Sequence, residues 1–204
     1  MEQTEIEVKY HVADKEGLRQ RILEIGASRS DAVFETNIRF DDADHRLTAA
    51  NMLLRLRQDK KNTLTFKGDP DEPDRDFKIY KEIETRVDDF HATRQILNAI
   101  GFEEVQRYEK WRETFLWENT QLCLDTMPYG AFLEIEGDKR QIRRLSERLG
   151  LAWGNRIVAN YLEMFEYIKN EAALPFSEVT FENFKTAVFD LSGCLARFQA
   201  GPDS

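Results

Sequence analysis

The sequence holds only two cysteines, Cys123 and Cys194, too far apart for a metal-binding pair of ordinary spacing. The first residues also lack a basic region followed by an apolar run. Both absences point to a reduced, cytoplasmic protein and away from a disulfide-stapled secreted one. No stretch approaches the ~20 consecutive apolar residues that a membrane-spanning helix needs. Basic residues are in deficit: 29 Lys and Arg face 38 Asp and Glu, a formal net charge of −9. General nucleic-acid and anionic-membrane surfaces reward a basic excess, so neither is expected as a partner. The three histidines, His11, His45 and His91, have no mutual spacing suited to a metal or a catalytic triad. A Gly-x-x-x-x-Gly-Lys-Ser/Thr stretch is missing, which excludes a P-loop.

What remains is charge in a particular arrangement. In Glu5-Ile6-Glu7-Val8-Lys9-Tyr10 a period of two places the charged residues on one face of a strand and the apolar residues on the other. The alternation recurs in Arg55-Leu56-Arg57, Thr65-Phe66-Lys67, Glu82-Ile83-Glu84, Lys110-Trp111-Arg112 and Glu134-Ile135-Glu136, and Leu124-Asp125 adds a further acid. One such strand is ordinarily solvated. Several whose charged faces converge build a polar tunnel.

The coarse pattern supports convergence. After the first strand, Asp14 caps a helix through about Ile25, with Leu18, Ile22, Leu23 and Ile25 on one side and Gly26 as a stop. Strands are expected at 31–40, 51–58, 62–67 and 77–87, with a mobile loop at 68–75. A helix capped by Asp88 or Asp89 runs to Ile100, and three strands follow at 105–116, 120–126 and 131–137. Helices at 139–149 and 158–169 complete the main body. The expected fold class is α+β: an eight-stranded antiparallel β-barrel with helices packed outside. Those helices would cover Ile6, Val8, Leu54, Leu56, Leu64, Phe66, Ile83, Trp111, Phe115, Leu133 and Ile135, leaving the charged face inward. At 204 residues with 41% hydrophobic content, the chain suits one domain, here 1–169, with an appendage at 170–204. That appendage carries five of the fourteen phenylalanines. The helical spacing of Phe181, Phe184, Val188 and Leu191 predicts an amphipathic helix over 176–198 that docks outside the barrel or caps one mouth.

The aligned positions hold seven acids (Glu5, Glu7, Glu82, Glu84, Asp125, Glu134, Glu136) and six bases (Lys9, Arg55, Arg57, Lys67, Lys110, Arg112). A buried salt-bridge lattice of this size costs more in desolvation than Coulomb attraction usually returns. A ligand resolves the difficulty. Paired carboxylates suit Mg²⁺ or Mn²⁺, whereas Arg and Lys suit phosphate oxygens. A polyphosphate carrying metal ions satisfies both sets. Glu7, Glu134 and Glu136 are the foremost metal candidates, with Glu5, Glu82, Glu84 and Asp125 binding a second metal or orienting the arginines. Lys9 either binds phosphate or carries a proton.

Glu5-x-Glu7-x-Lys9 resembles the ExExK signature of the CYTH superfamily, the triphosphate tunnel metalloenzymes. The succession RxR at Arg55 and Arg57, TxK at Thr65 and Lys67, ExE at Glu82 and Glu84, KxR at Lys110 and Arg112, Asp125, then ExE at Glu134 and Glu136 is similar to that family in order as well. A Ser-Tyr pair common late in the family is replaced by Asn160-Tyr161. The resemblance covers about residues 4–165 and implies a tunnel that binds a triphosphate with divalent metal. Family members include class IV adenylate cyclases, thiamine triphosphatases and inorganic triphosphatases. The expectation is therefore a metal-dependent triphosphatase, monomeric or homodimeric, with Glu7 and Lys9 central to catalysis. A cyclase making cyclic AMP and pyrophosphate from ATP is the first alternative, and a non-catalytic polyphosphate or nucleotide sensor the second.

Overall fold

The period-two segments form the strands expected of them. The structure is a computed structural model and describes residues 3–70, 72–185, 193–194 and 197–199. The first half of the chain runs β1 (Gln3–His11), α1 (Lys15–Glu24), β2 (Ser28–Arg29), β3 (Val33–Asp42), α2 (Arg46–Ala49), β4 (Leu53–Gln58), β5 (Asn62–Gly68) and β6 (Lys78–Val87). The rest runs α3 (Phe90–Ala99), β7 (Phe102–Trp117), β8 (Thr120–Met127), β9 (Gly130–Glu136), α4 (Lys139–Arg148), α5 (Tyr161–Glu171) and α6 (Phe181–Phe184). Strands β7-β3-β4-β5-β6-β1-β9-β8 pair antiparallel in that order, and a β7–β8 ladder closes them into an eight-stranded barrel. The extra strand β2 pairs Ser28 with Leu116 and Arg29 with Phe115, along the same edge of β7 that β3 takes up at Val33 opposite Arg112.

Helices cover the outward apolar face, as the inverted pattern requires. Leu18 and Ile22 of α1 and Ile142 and Leu145 of α4 pack with Val8, Phe115, Leu133 and Ile135 from the barrel. Each such side chain contributes roughly 1.5–3 kcal/mol on burial. Phe90 and Leu97 of α3 pack with Ile38, Phe40 and Leu56. Caps set the helix starts: Asp14 accepts from the Gly17 N–H at 2.9 Å and Asp89 from the Ala92 N–H at 2.9 Å. Gly26 follows α1 with φ +89°, a left-handed conformation that glycine adopts without strain.

The cover is incomplete. Ile83 and Trp111, both expected to be buried, are 48% and 46% exposed, and Leu23 on α1 points away from the core at 37%. Trp111 packs instead against its cross-strand partner Phe34, with ring centroids 5.1 Å apart. The loop after β5 is anchored at its far end. Asp74 accepts from the backbone N–H groups of Asp76 and Phe77 and pairs with Lys139 at 2.7 Å, while Asp76 pairs with Arg143 and Arg156.

The predicted helix over 176–198 is corrected in its described part. Phe181–Phe184 form a helical turn behind a Thr180 cap and 193–194 are helical too, while Val188 and Leu191 lie outside the described residues. Val179 is instead extended. Its N–H donates to Arg107 O and its carbonyl accepts from Glu109 N–H, both at 2.9 Å, so it lies parallel to β7 beyond the last rung that β8 supplies. An open sheet edge offers two backbone hydrogen bonds there, so the predicted helix does not begin at 176. Phe176 and Phe184 then pack with Phe165 of α5 and Tyr129 in one apolar cluster. No helix among the described residues is long and apolar enough to cross a membrane.

Candidate active site

Twelve of the candidate residues meet in one place. Glu5, Glu7, Lys9, Arg55, Arg57, Lys67, Glu82, Glu84, Lys110, Arg112, Glu134 and Glu136 all line a cavity of about 840 Å³ within the barrel. Register explains their mixing. Glu7 faces Glu136 and Lys9 faces Glu134 across β1 and β9, Lys67 faces Glu82 across β5 and β6, and Arg55 faces Thr65 across β4 and β5. Short ion pairs follow: Lys9 Nζ to Glu134 Oε1 at 3.2 Å, Lys67 Nζ to Glu82 at 2.7 Å, and Arg57 Nη2 to Glu84 at 3.7 Å. Lys67 also meets Glu5, and Arg112 meets Glu134.

Asp125 stands apart from the other candidates. It is fully buried and does not line the cavity. Its oxygens accept from Lys110 Nζ at 2.9 Å, Arg112 Nε at 2.7 Å, Arg112 Nη2 at 2.6 Å and the Tyr161 hydroxyl at 2.9 Å. Of the two roles considered for it, orienting the cations matches this geometry. Asn160 is the cap of α5, accepting from the N–H groups of Leu162 and Glu163 in a reciprocal capping box with Glu163. Lys9 Nζ sits 4.1 Å from the centroid of the Tyr161 ring and donates to Ala159 O at 3.3 Å.

The electrostatics divide the carboxylates. Burial opposes ionisation of Glu134, yet Lys9, Arg112 and Lys110 outweigh it and hold the carboxyl well below its usual range. Glu136 goes the other way. Burial, then the charges of Glu5 and Glu7, push it up to about 7. Glu5, Glu7 and Glu136 supply the hard carboxylate oxygens that fit a divalent cation, although Glu5 already meets Lys67 and Glu7 lies 3.5 Å from Lys78. Among the described residues no three acidic, histidine or cysteine side chains are already drawn together as a cage. Such a cation would take part of its oxygen shell from water and phosphate.

Several residues in the cavity wall or behind it escaped the sequence reading. Glu35, nearly fully buried on β3, lies 3.7 Å from Lys110 and 4.0 Å from Arg112. Burial disfavours its charge, but Lys110, Arg112, Arg57 and Arg55 bring its carboxyl down to about 2. Arg39, Lys78, Tyr80, Tyr108 and Gln121 line the cavity itself, as does Tyr161, already singled out beside Asn160. The signal for β3 was present: Glu35-Thr36-Asn37-Ile38-Arg39-Phe40-Asp41 is another alternating run. Lys78 and Tyr80 share the parity of Glu82 and Glu84.

The family model for the CYTH domain matches residues 3–149. The chain belongs to the CYTH family. A Methanocaldococcus jannaschii relative, provisionally named an adenylate cyclase, is 28% identical over 172 residues, which cover 78% of this chain and 97% of that protein. Among solved structures, a provisional adenylate cyclase from Vibrio parahaemolyticus superposes with a TM-score of 0.71 at 21% identity, covering 80% of this chain and 98% of its own. A Hippeastrum protein, provisionally classed as an adenylyl cyclase but with a dominant triphosphatase activity, superposes with a TM-score of 0.59 at 17% identity, covering 81% of this chain and 95% of its own. At these identities both structures speak to the CYTH fold alone.

Proposed function

We propose that this CYTH protein is a divalent-metal-dependent enzyme that hydrolyses a triphosphate bound in the barrel, releasing a diphosphate and orthophosphate. The observation that carries the reading is the composition of the cavity wall, where cations and carboxylates converge in register from separate strands. Arg55, Arg57, Lys67, Lys110, Arg112 and Lys9 would hold the phosphate oxygens and stabilise charge on the transferred and leaving groups. Asp125, with Tyr161, keeps Lys110 and Arg112 aimed. Glu5, Glu7, Glu134 and Glu136 are the residues that would hold Mg²⁺ or Mn²⁺, with Glu82 and Glu84 placed to orient Lys67, Arg55 and Arg57. Held there, such a metal would supply Lewis acidity to phosphoryl transfer. Every other contribution comes from positioning and fixed charge.

A second reading is an adenylate cyclase, in which the ribose 3′-hydroxyl of ATP attacks the α-phosphate and expels pyrophosphate. The name of the Methanocaldococcus relative favours it. So does the presence of Met52, Leu53, Val158 and Leu162 on the cavity wall, an apolar surface that a base can occupy. Incubation with tripolyphosphate, ATP and thiamine triphosphate, each with Mg²⁺ or Mn²⁺ and each with EDTA, separates the two by their phosphorus products. Orthophosphate release dependent on metal is expected. Cyclic AMP with pyrophosphate selects the cyclase, and turnover that persists in EDTA overturns metal dependence.

A further inference from the structure

Arg39 differs from the other cations of the cavity. The other seven, on five strands, each lie within 4.0 Å of a carboxylate. Arg39 has no carboxylate partner among the described residues. Its Nη1 donates to Gln106 Oε1 at 3.3 Å and its Nη2 to Thr48 Oγ1 at 3.4 Å, both neutral acceptors at long range, and its buried Nε has no partner. Its Cα partner on β4 is Arg55, so two cationic residues oppose each other across β3 and β4, and both line the cavity. Like charges directly opposite on adjacent strands repel, and a guanidinium keeps five donors to satisfy.

The acceptors that orient Arg39 are themselves fixed. The Thr48 hydroxyl donates to Asp41 Oδ2 at 2.6 Å, which turns an oxygen lone pair toward Arg39. Gln106 Nε2 donates to Ser177 O at 3.1 Å, which leaves its Oε1 pointing at Arg39. Ser177 belongs to the segment that Val179 pins along β7. Neutral groups therefore hold the guanidinium in place from both sides and leave its charge uncompensated. An oxyanion between Arg39 and Arg55 answers the repulsion and the unused donors together.

We propose that Arg39 is an additional phosphate-binding residue of this cavity, sharing a phosphoryl group with Arg55, and that the C-terminal segment positions it through Gln106. The inference rests on the triphosphate reading above and adds a residue and a positioning route to it. The full-length protein and its Arg39→Ala, Arg39→Lys and Gln106→Ala variants are compared by calorimetric titration with tripolyphosphate in EDTA, by steady-state kinetics with Mg²⁺, and by ligand-free melting temperature. Arg39→Ala is expected to weaken tripolyphosphate binding by about tenfold or more and to raise KM, with a ligand-free melting temperature no lower than wild type. Arg39→Lys recovers part of the affinity, since charge returns without the fork. Gln106→Ala weakens binding by a smaller factor. Unchanged affinity in Arg39→Ala overturns the phosphate role, whatever happens to stability, and leaves the triphosphate reading standing. Unchanged affinity in Gln106→Ala overturns the positioning role. A wild-type protein that neither binds nor turns over tripolyphosphate or ATP overturns the triphosphate reading itself, and this inference with it.

Discussion

The Tyr161 hydroxyl donates to Asp125 Oδ2 at 2.9 Å, joining the first turn of α5 to the carboxylate that also receives Lys110 and Arg112. That carboxylate is fully buried, and burial raises the tyrosine's own pKa well above its usual value. A hydrogen bond to a buried charge contributes about 1.5–3 kcal/mol, and Tyr161→Phe should lose about that amount in urea unfolding. Asp125→Ala should cost more, roughly 3–5 kcal/mol, because two cations are left without their shared anion. If Asp125 were instead a metal ligand, its removal would stabilise the metal-free protein by relieving acidic repulsion. A rise in metal-free stability for Asp125→Ala therefore refutes the orienting role.

Glu35 gives the fold a specific acid sensitivity. Its carboxyl is brought down from an ordinary 4.5 to about 2, burial being outweighed by Lys110 and Arg112 first and Arg57 and Arg55 next. A depressed carboxyl contributes stability that is present above its unfolded pKa and lost as pH falls through the folded one. For Glu35 that window runs from about 4.5 down to about 2. Urea midpoints of wild type and Glu35→Gln across this range should converge on acidification, with the wild type ahead at neutral pH. Parallel curves would show that Glu35 is not held ionised by the cavity cations.

Arg57 is the cleanest probe of the phosphate face. It lines the cavity from near the end of β4 and meets Glu84 at 3.7 Å and Asp59 at 3.2 Å, so its removal leaves no deeply buried charge alone. Arg57→Ala should lower kcat/KM at least ~10-fold while the melting temperature changes little. Arg57→Lys should recover only part, because a point charge replaces a fork. Wild-type kinetics in Arg57→Ala would place this side chain outside the substrate path.

The barrel was legible because its strands carry charge where a β-protein normally carries core residues, and period-two counting finds such faces directly. The same counting applied to Glu35, Asn37, Arg39 and Asp41 finds the polar face of β3, from which Arg39 lines the cavity; what hid it was the mixture of Asn, Thr and Asp among the charges. Asp125 was visible as an acid, but its separation from the cavity depends on Tyr161, which reaches it from a helix 36 residues away. No local pattern encodes that contact. The extended course of Val179 was likewise hidden, because it depends on β8 ending where β7 continues. The helical spacing of Phe181 and Phe184 is kept in α6, while the residues before it run extended.

The C-terminal segment is built into the core, and its phenylalanines test that directly. Phe184 is 9% exposed and lies 6.1 Å from Phe165, 6.1 Å from Tyr129 and 5.1 Å from Phe176, measured between ring centroids. Those rings belong to α5, to the turn between β8 and β9, and to the segment itself. Truncating a buried phenylalanine costs about 3–5 kcal/mol where the cavity does not collapse. Phe184→Ala should therefore lower the urea midpoint markedly. It should leave KM for tripolyphosphate unchanged below the melting transition, because the bonds that hold Val179 on β7 and Ser177 against Gln106 come from backbone groups outside α6. An unchanged midpoint would mean that the segment contributes nothing to the fold. A shifted preference between tripolyphosphate and ATP at unchanged stability would mean that the phenylalanine acts on the cavity and not on the core.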